Sequence, residues 1–427
     1  MFNYTDLLKG SALLFIASLV ARGSTLLLRY LAAVDLSPND YGNFSLYVSL
    51  FLSIAAIASF SIGPALSKLA VSYKEQSNNR NVLYGNSLLL VAVTSSLACI
   101  IFFIVFLSSS RHLLTINIAV ATVVGFIFWA YFQVSIGLSL ADFKFRIVSI
   151  YEAGDGLIKL GFLCCIFILS SEIKVSSFIF AFTLPYVLLA LLGYCCNAFI
   201  LNIRVTQNPI KSYNRQCLSS ILGHTFPLMT ITFINLFFSF FLRFLLSKHS
   251  NSEVAIFDMA MVFYSVPRMI FVSLVRPIIP FASRRIGSKI RIFGFGKIII
   301  VFGSLMCAAI GFYYSGFVGL FLSYIGLPEY LDSFPIFLII LSGSVLDLSF
   351  GFMSSYFQGY GKIKQICNIV ILVFILMIPF SFYAISLHRV YGAAISYIMY
   401  YFFLAVLATY NGYRQVGFQF TNKKINQ

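Results

Sequence analysis

Charge is scarce in this sequence. Asp, Glu, Lys and Arg make up 10% of its 427 residues, against about 25% in a soluble domain. So few ionisable groups cannot cover a water-facing surface, which excludes an ordinary soluble fold. The four histidines, His112, His224, His249 and His388, are scattered without a metal-ligand spacing. No metal site is expected. No P-loop pattern occurs, so the chain offers no nucleotide-driven motor. Most of the eight cysteines fall inside apolar runs, including the adjacent pairs Cys164-Cys165 and Cys195-Cys196. Adjacent residues on a helix point in different directions, so these are read as apolar packing residues and not as a disulfide framework.

What the sequence has is apolarity. Sixty per cent of residues are hydrophobic and the mean hydropathy is +0.94. Runs of about 20 apolar residues, the length that crosses a bilayer core, recur along the chain. About twelve spans are expected: 11–34, 41–64, 86–108, 115–138, 148–170, 177–200, 221–246, 254–279, 296–318, 334–357, 366–387 and 391–411. Lipid offers no partners to open backbone groups, so the spans are helices. The expected fold class is an all-α polytopic membrane protein. The first run lacks a small-residue cleavage site and carries Arg22 and Arg29, so it is read as a retained helix and not a signal peptide.

A net charge of +16 could suggest nucleic acid, but its placement argues for a membrane instead. Basic residues gather near the termini and in alternate connections: Lys68, Lys74 and Arg80; Lys144 and Arg146; Arg204, Lys211 and Arg215; Arg276 to Lys297; Lys362 and Lys364. The opposite connections hold only Arg111, Lys174, Lys248 and Arg389. This asymmetry is the positive-inside pattern. It places both termini in the cytoplasm and implies no nucleic-acid partner.

One short phrase occurs twice. "LSPNDYGNF" (36–44) is echoed half a chain later by "SNSEVAIF" (250–257), and "LLLRYL" (26–31) by "FFLRFL" (240–245). "YFQ" ends the fourth span at 131–133 and the tenth at 356–358. These echoes fall at corresponding places if six helices are repeated, in lobes 1–213 and 214–427. Six helices per unit make the repeat parallel, a plan that transporters use for alternating access.

The stretch 9–66 resembles the opening of the bacterial polysaccharide flippases, the O-antigen or Wzx-type members of the multidrug/oligosaccharidyl-lipid/polysaccharide exporter superfamily. The resemblance rests on Lys9-Gly10, the outer turn Leu36 to Gly42, and Gly63 to Ala65. "SEVAIFDMAMVFYSVP" (252–267) is similar to the matching turn of the second lobe, with Ala255 where Gly is usual, and "GYGKIKQ" (359–365) to the loop after the tenth helix. It implies two six-helix lobes around a hydrophilic cavity. It also implies an undecaprenyl-diphosphate-linked glycan as substrate and the inner membrane as location. A polysaccharide polymerase and a chain-length regulator are the implied partners. No cofactor is implied beyond an H+ or Na+ gradient. The implied role is transport, with no catalytic residues.

Ionisable groups at membrane depth are costly unless they face a cavity or a partner. Ser18, Arg22, Thr25 and Arg29 share one face of the first helix. The seventh span repeats this stripe with Thr232, Ser239 and Arg243, but sets Leu236 opposite Arg22. An anionic diphosphate needs such a lining, and a guanidinium binds phosphate bidentately. Arg29 and Arg243, near the outer ends, either join this lining or snorkel to headgroups. Asp155 and Lys159, at i,i+4 beside Glu152, form an intrahelical ion pair or add Lys159 to the headgroup site. Asp347 lies within the tenth span with no base within a turn. It is either an ion-coupling carboxylate or the counter-charge to an arginine from another helix. Asp258 is a second coupling candidate; with Arg268, after Pro267, it either pairs or lines the cavity. Pro267 is expected to kink its helix.

Two rivals remain. A membrane-embedded polysaccharide polymerase or ligase would match the hydropathy, but such enzymes need a sizeable external loop, and the outer connections here are short. A drug exporter of the same superfamily would match the fold.

Overall fold

A computed structural model describes residues 4–72, 77–108, 116–141, 144–169, 174–199, 214–275, 310–311 and 313–416. Within them all regular structure is helical. The order is α1 (Tyr4–Asp35), α2 (Pro38–Ser59), α3 (Ile62–Ser72), α4 (Ser77–Ser108), α5 (Ile116–Ala141), α6 (Phe145–Leu169), α7 (Val175–Thr183), α8 (Pro185–Phe199), α9 (Arg215–Ser247) and α10 (Asn251–Val275). Then come α11 (Phe317–Tyr324), a 3-10 turn (Pro328–Tyr330), α12 (Ser333–Ser342), α13 (Ser344–Gly359) and α14 (Ile363–Val416). The described part of each expected span is helical apart from short breaks; residues 115, 170, 200 and 276–279 and most of 296–318 lie outside the described residues. Seven described helices are long and apolar enough to cross a membrane, or eight if the bent pair α12 and α13 is one span. α14 holds the last two spans in one run. Its backbone breaks at Arg389 (φ 46°, ψ −117°), between the windows expected at 366–387 and 391–411.

The surface fits this reading. Ile16 and Leu27 on α1, Val93 and Ile104 on α4, and Ile375 and Leu376 on α14 are exposed. In water so many exposed aliphatics would be a liability; against acyl chains they are the solvent-facing side. Cys164, Cys165 and Cys195 are exposed there too. That corrects their reading as packing residues: at a lipid boundary an apolar side chain need not point inward.

The chain forms two compact units, Met1–Phe240 and Phe241–Gln427. The boundary falls inside α9 and not in the loop before it. The cause lies in what the first half of α9 touches. The Asn214 N–H donates to Asn86 Oδ1, Phe226 meets the ring of Phe60, and Ser61 donates to the hydroxyl of Thr232.

The twice-written phrase proves to be a helix start. Ser37 caps α2, its hydroxyl accepting the Asp40 N–H at 3.2 Å, with Pro38 in the first turn. At the matching place, the Ser250 hydroxyl accepts the Ser252 N–H as α10 begins, and Glu253 lies in its first turn. A serine followed three residues later by an acid satisfies open N–H groups and favours the positive end of the helix. The copies then diverge. Asp40 accepts from Ser37, whereas Glu253 pairs with Arg389 at 2.8 Å, tying the start of α10 to the break in α14.

Candidate functional site

In the first unit, α1 packs along α6 at very short range. A Cβ on Gly156 would lie 2.6 Å from the Ser24 Cβ and 2.8 Å from the Ala21 backbone. Only glycine permits that approach. The contact buries Ala17, Ser24 and Leu28. At 100° per residue, Ser18, Arg22, Thr25 and Arg29 lie about a quarter-turn from this buried face. They also lie well away from the exposed Ile16 and Leu27. The stripe is therefore distinct from both the packed and the lipid-type faces, and Arg22 and Arg29 are half-buried. Thr25 spends its hydroxyl on the Ala21 carbonyl of its own helix, as Thr232 does on Leu228.

Lys159, on α6, is placed differently. Its side chain is 3% exposed and pairs with Asp155 at 2.9 Å. Its ammonium also donates to the Tyr186 hydroxyl at 2.8 Å and lies over the rings of Phe182 and Tyr186. Trp129 packs edge-on against Tyr186. The i,i+4 ion pair forms, and the aromatic wall around it keeps the ammonium from an open surface.

In the second unit the charges form two separate pairs. Arg243 donates to Asp258 Oδ1 from Nη2 at 2.6 Å and from Nε at 3.2 Å. Both side chains are at most 5% exposed, and the guanidinium lies over the Phe257 ring. Arg243 thus neither snorkels nor opens to a cavity, because α10 supplies its counter-charge about two turns after the start of that helix.

The second pair joins Arg268 of α10 to Asp347 of α13, Nε to Oδ2 at 2.8 Å. Asp258 pairs with Arg243, not with Arg268, and of the two readings of Asp347 the counter-charge to an arginine from another helix is the one seen. Its span is broken at Gly343, bending 46° between α12 and α13. A Cβ at Gly343 would meet the Ile398 side chain at 2.8 Å, so glycine lets the break seat against α14. The break puts Asp347 in the first turn of α13, where the helix dipole favours a negative charge. The Tyr264 hydroxyl donates to Asp347 at 3.0 Å, and Arg268 Nη2 donates to the Tyr401 hydroxyl at 3.4 Å. Tyr397 lies 4.9 Å from Tyr401 and 6.2 Å from Tyr264, ring centre to ring centre. α10 itself runs on through Pro267 to Val275.

Sequence reasoning did not single out Tyr186, Tyr264, Tyr397 or Tyr401. A signal existed: Tyr264 with Arg268, and Tyr397 with Tyr401, are i,i+4 pairs that share a helix face. Among 25 tyrosines it did not stand out. Among the described residues no group of His, Cys, Asp and Glu could hold a metal ion.

Residues 7–286, well over half of the chain, match the model of a family described as polysaccharide biosynthesis protein. The chain belongs to that polysaccharide biosynthesis family. The match spans Arg22, Arg29, Lys159, Arg243, Asp258 and Arg268, while Asp347 and the α14 tyrosines lie beyond it. No curated protein matches the sequence. Solved structures extend the likeness to nearly the whole chain. A MATE transporter in the straight conformation gives a TM-score of 0.71 at 15% identity, covering 96% of each chain. A MOP superfamily transporter from Pyrococcus furiosus gives 0.68 at 15% identity, covering 96% of each. A eukaryotic MATE transporter gives 0.67 at 14%, covering 94% of each. At these identities the likeness shows the fold: this polysaccharide-family chain is a multi-pass helical membrane protein with a fold like that of MATE transporters. The resemblance read from residues 9–66 agrees with both findings.

Proposed function

We propose that this chain is a flippase moving undecaprenyl-diphosphate-linked oligosaccharide units from the cytoplasmic to the outer face of the bacterial inner membrane, by alternating access, for O-antigen or a related surface polysaccharide. Both termini are cytoplasmic in this reading. The observation that carries it is the α1 stripe: Ser18, Arg22, Thr25 and Arg29 held off both the packed and the lipid-type faces, in a chain of the polysaccharide biosynthesis family. Two guanidiniums on one helical face, seven residues apart, suit a diphosphate. Arg22 and Arg29 are its primary ligands. Arg243 and Lys159 are neutralised inside the protein and serve packing. Of the two coupling carboxylates, Asp258 is locked in the buried pair with Arg243. Asp347, 13% exposed, is the group that an H+ or Na+ gradient would reach. The rival, a drug exporter, has the same fold; the family match to polysaccharide biosynthesis favours the glycan carrier.

The test is made in cells whose surface polysaccharide depends on this gene. Arg22→Ala, at wild-type protein levels, is expected to accumulate the lipid-linked glycan and to lose surface polysaccharide. Normal polysaccharide in that variant would remove Arg22 from the site.

A further inference from the structure

The second unit carries a polar cluster whose chemistry differs from that of the α1 stripe. The stripe carries two arginines and two hydroxyls on one helix face. Arg268 and Asp347, by contrast, cancel each other's charge at 2.8 Å. Three tyrosines surround the pair, each at most 5% exposed: Tyr264, Tyr397 and Tyr401. The pair itself is the open part: the Arg268 side chain is 36% exposed and that of Asp347 13%. Arg268 commits Nε to Asp347 and Nη2 to Tyr401, which leaves Nη1 without a hydrogen bond among the described residues. The Tyr397 hydroxyl, buried beside Tyr401, also lacks a well-aligned partner.

A diphosphate is poorly matched to this place. It would have to share Arg268 with a carboxylate already seated on it and would bring like charges together. A sugar is well matched. Each of its hydroxyls both donates and accepts, so vicinal hydroxyls can donate to Asp347 while accepting from Arg268 and a tyrosine. A few convergent polar groups on an aromatic wall are the usual make-up of a small-molecule site.

We propose that Arg268, Asp347, Tyr264, Tyr397 and Tyr401 form a glycan subsite that reads sugar hydroxyls and not the diphosphate. This deepens the flippase reading and rests on it. The cluster, which lies wholly within the second unit, confers preference for a glycosylated over a bare carrier.

The test uses the full chain in lipid nanodiscs and two probes. One is undecaprenyl diphosphate; the other is the lipid-linked glycan that accumulates in source cells lacking this protein. The wild type is expected to bind the glycosylated probe about tenfold more tightly, the loss expected when a hydrogen bond to a charged group goes unmade. Tyr397→Phe and Tyr401→Phe should erase that preference and leave binding of the bare carrier within twofold. Tyr401→Phe keeps the ring, and an unchanged melting temperature confirms that the variant is folded. Equal weakening of both probes would make this a diphosphate site and overturn the proposal. An undiminished preference in a folded Tyr401→Phe together with a folded Tyr397→Phe would overturn it as well. If no lipid-linked glycan accumulates and the wild type binds neither probe, the flippase reading itself fails, and the subsite with it.

Discussion

Removing Arg243 separates a structural arginine from a substrate-binding one. Arg243 and Asp258 are joined at 2.6 Å with side chains 5% and 1% exposed. An exposed pair would be worth under about 1 kcal/mol, but at this burial the loss of one partner strands a charge and costs about 3–5 kcal/mol. For a unit of 150–250 residues each kcal/mol moves the melting point about 2–4 °C, so Arg243→Leu should lower it by about 6–20 °C. The double variant Arg243→Met with Asp258→Leu removes both charges and should recover most of that loss, since apolar replacement of a buried pair is often neutral. The assay is thermal unfolding of the purified protein in detergent, read beside surface polysaccharide in complemented cells. The reasoning predicts that stability and function fall together in the single variant and return together in the double. An Arg243→Leu protein that melts like the wild type yet no longer supports polysaccharide export would refute it and make Arg243 a substrate ligand.

Two further outcomes follow from the first unit. Gly156→Val should force α1 off α6, because a Cβ there already meets Ser24 at 2.6 Å; the expected cost is about 1–3 kcal/mol, seen as a lower melting point with loss of export. Gly161→Val, where a Cβ meets nothing within 4 Å, is the matched control and should be neutral for both. Lys159→Met alone should destabilise by about 3 kcal/mol, toward the low end because Asp155 is 22% exposed. Lys159→Met with Asp155→Leu should regain stability in the same unfolding assay, and a double variant no more stable than the single would contradict the pair's assigned role.

How much of this was legible beforehand depended on sequence distance. Hydropathy located the spans because lipid imposes one length on all of them. The phrase at 36–44 and its echo at 250–257 were visible as polar breaks, because turn chemistry is local; that Ser37 and Ser250 cap the helices starting there came from the structure. Asp155 with Lys159, one turn apart on one helix, was visible too. An arginine from another helix was one of the two readings of Asp347, but which arginine was not legible, since nothing in the chain announces which helix will lie beside α10. The break at Gly343 was hidden for the same reason: a glycine in an apolar run looks alike whether it bends a span or merely sits in it. What revealed it is Ile398, packed where a Cβ would be. The boundary inside α9 likewise came from contacts with Asn86, Phe60 and Ser61, not from composition. The tyrosines were lost in their own abundance.

The most direct measurement is translocation by the purified protein. Proteoliposomes carrying a fluorescent lipid-linked glycan are treated with a membrane-impermeant quencher, which bleaches only the outer leaflet. The account predicts that vesicles with the wild-type chain lose nearly all fluorescence, while protein-free vesicles and those with Arg22→Ala retain the inner-leaflet half. Retention of that half by vesicles holding folded wild-type protein, with and without an imposed H+ or Na+ gradient, would contradict the account.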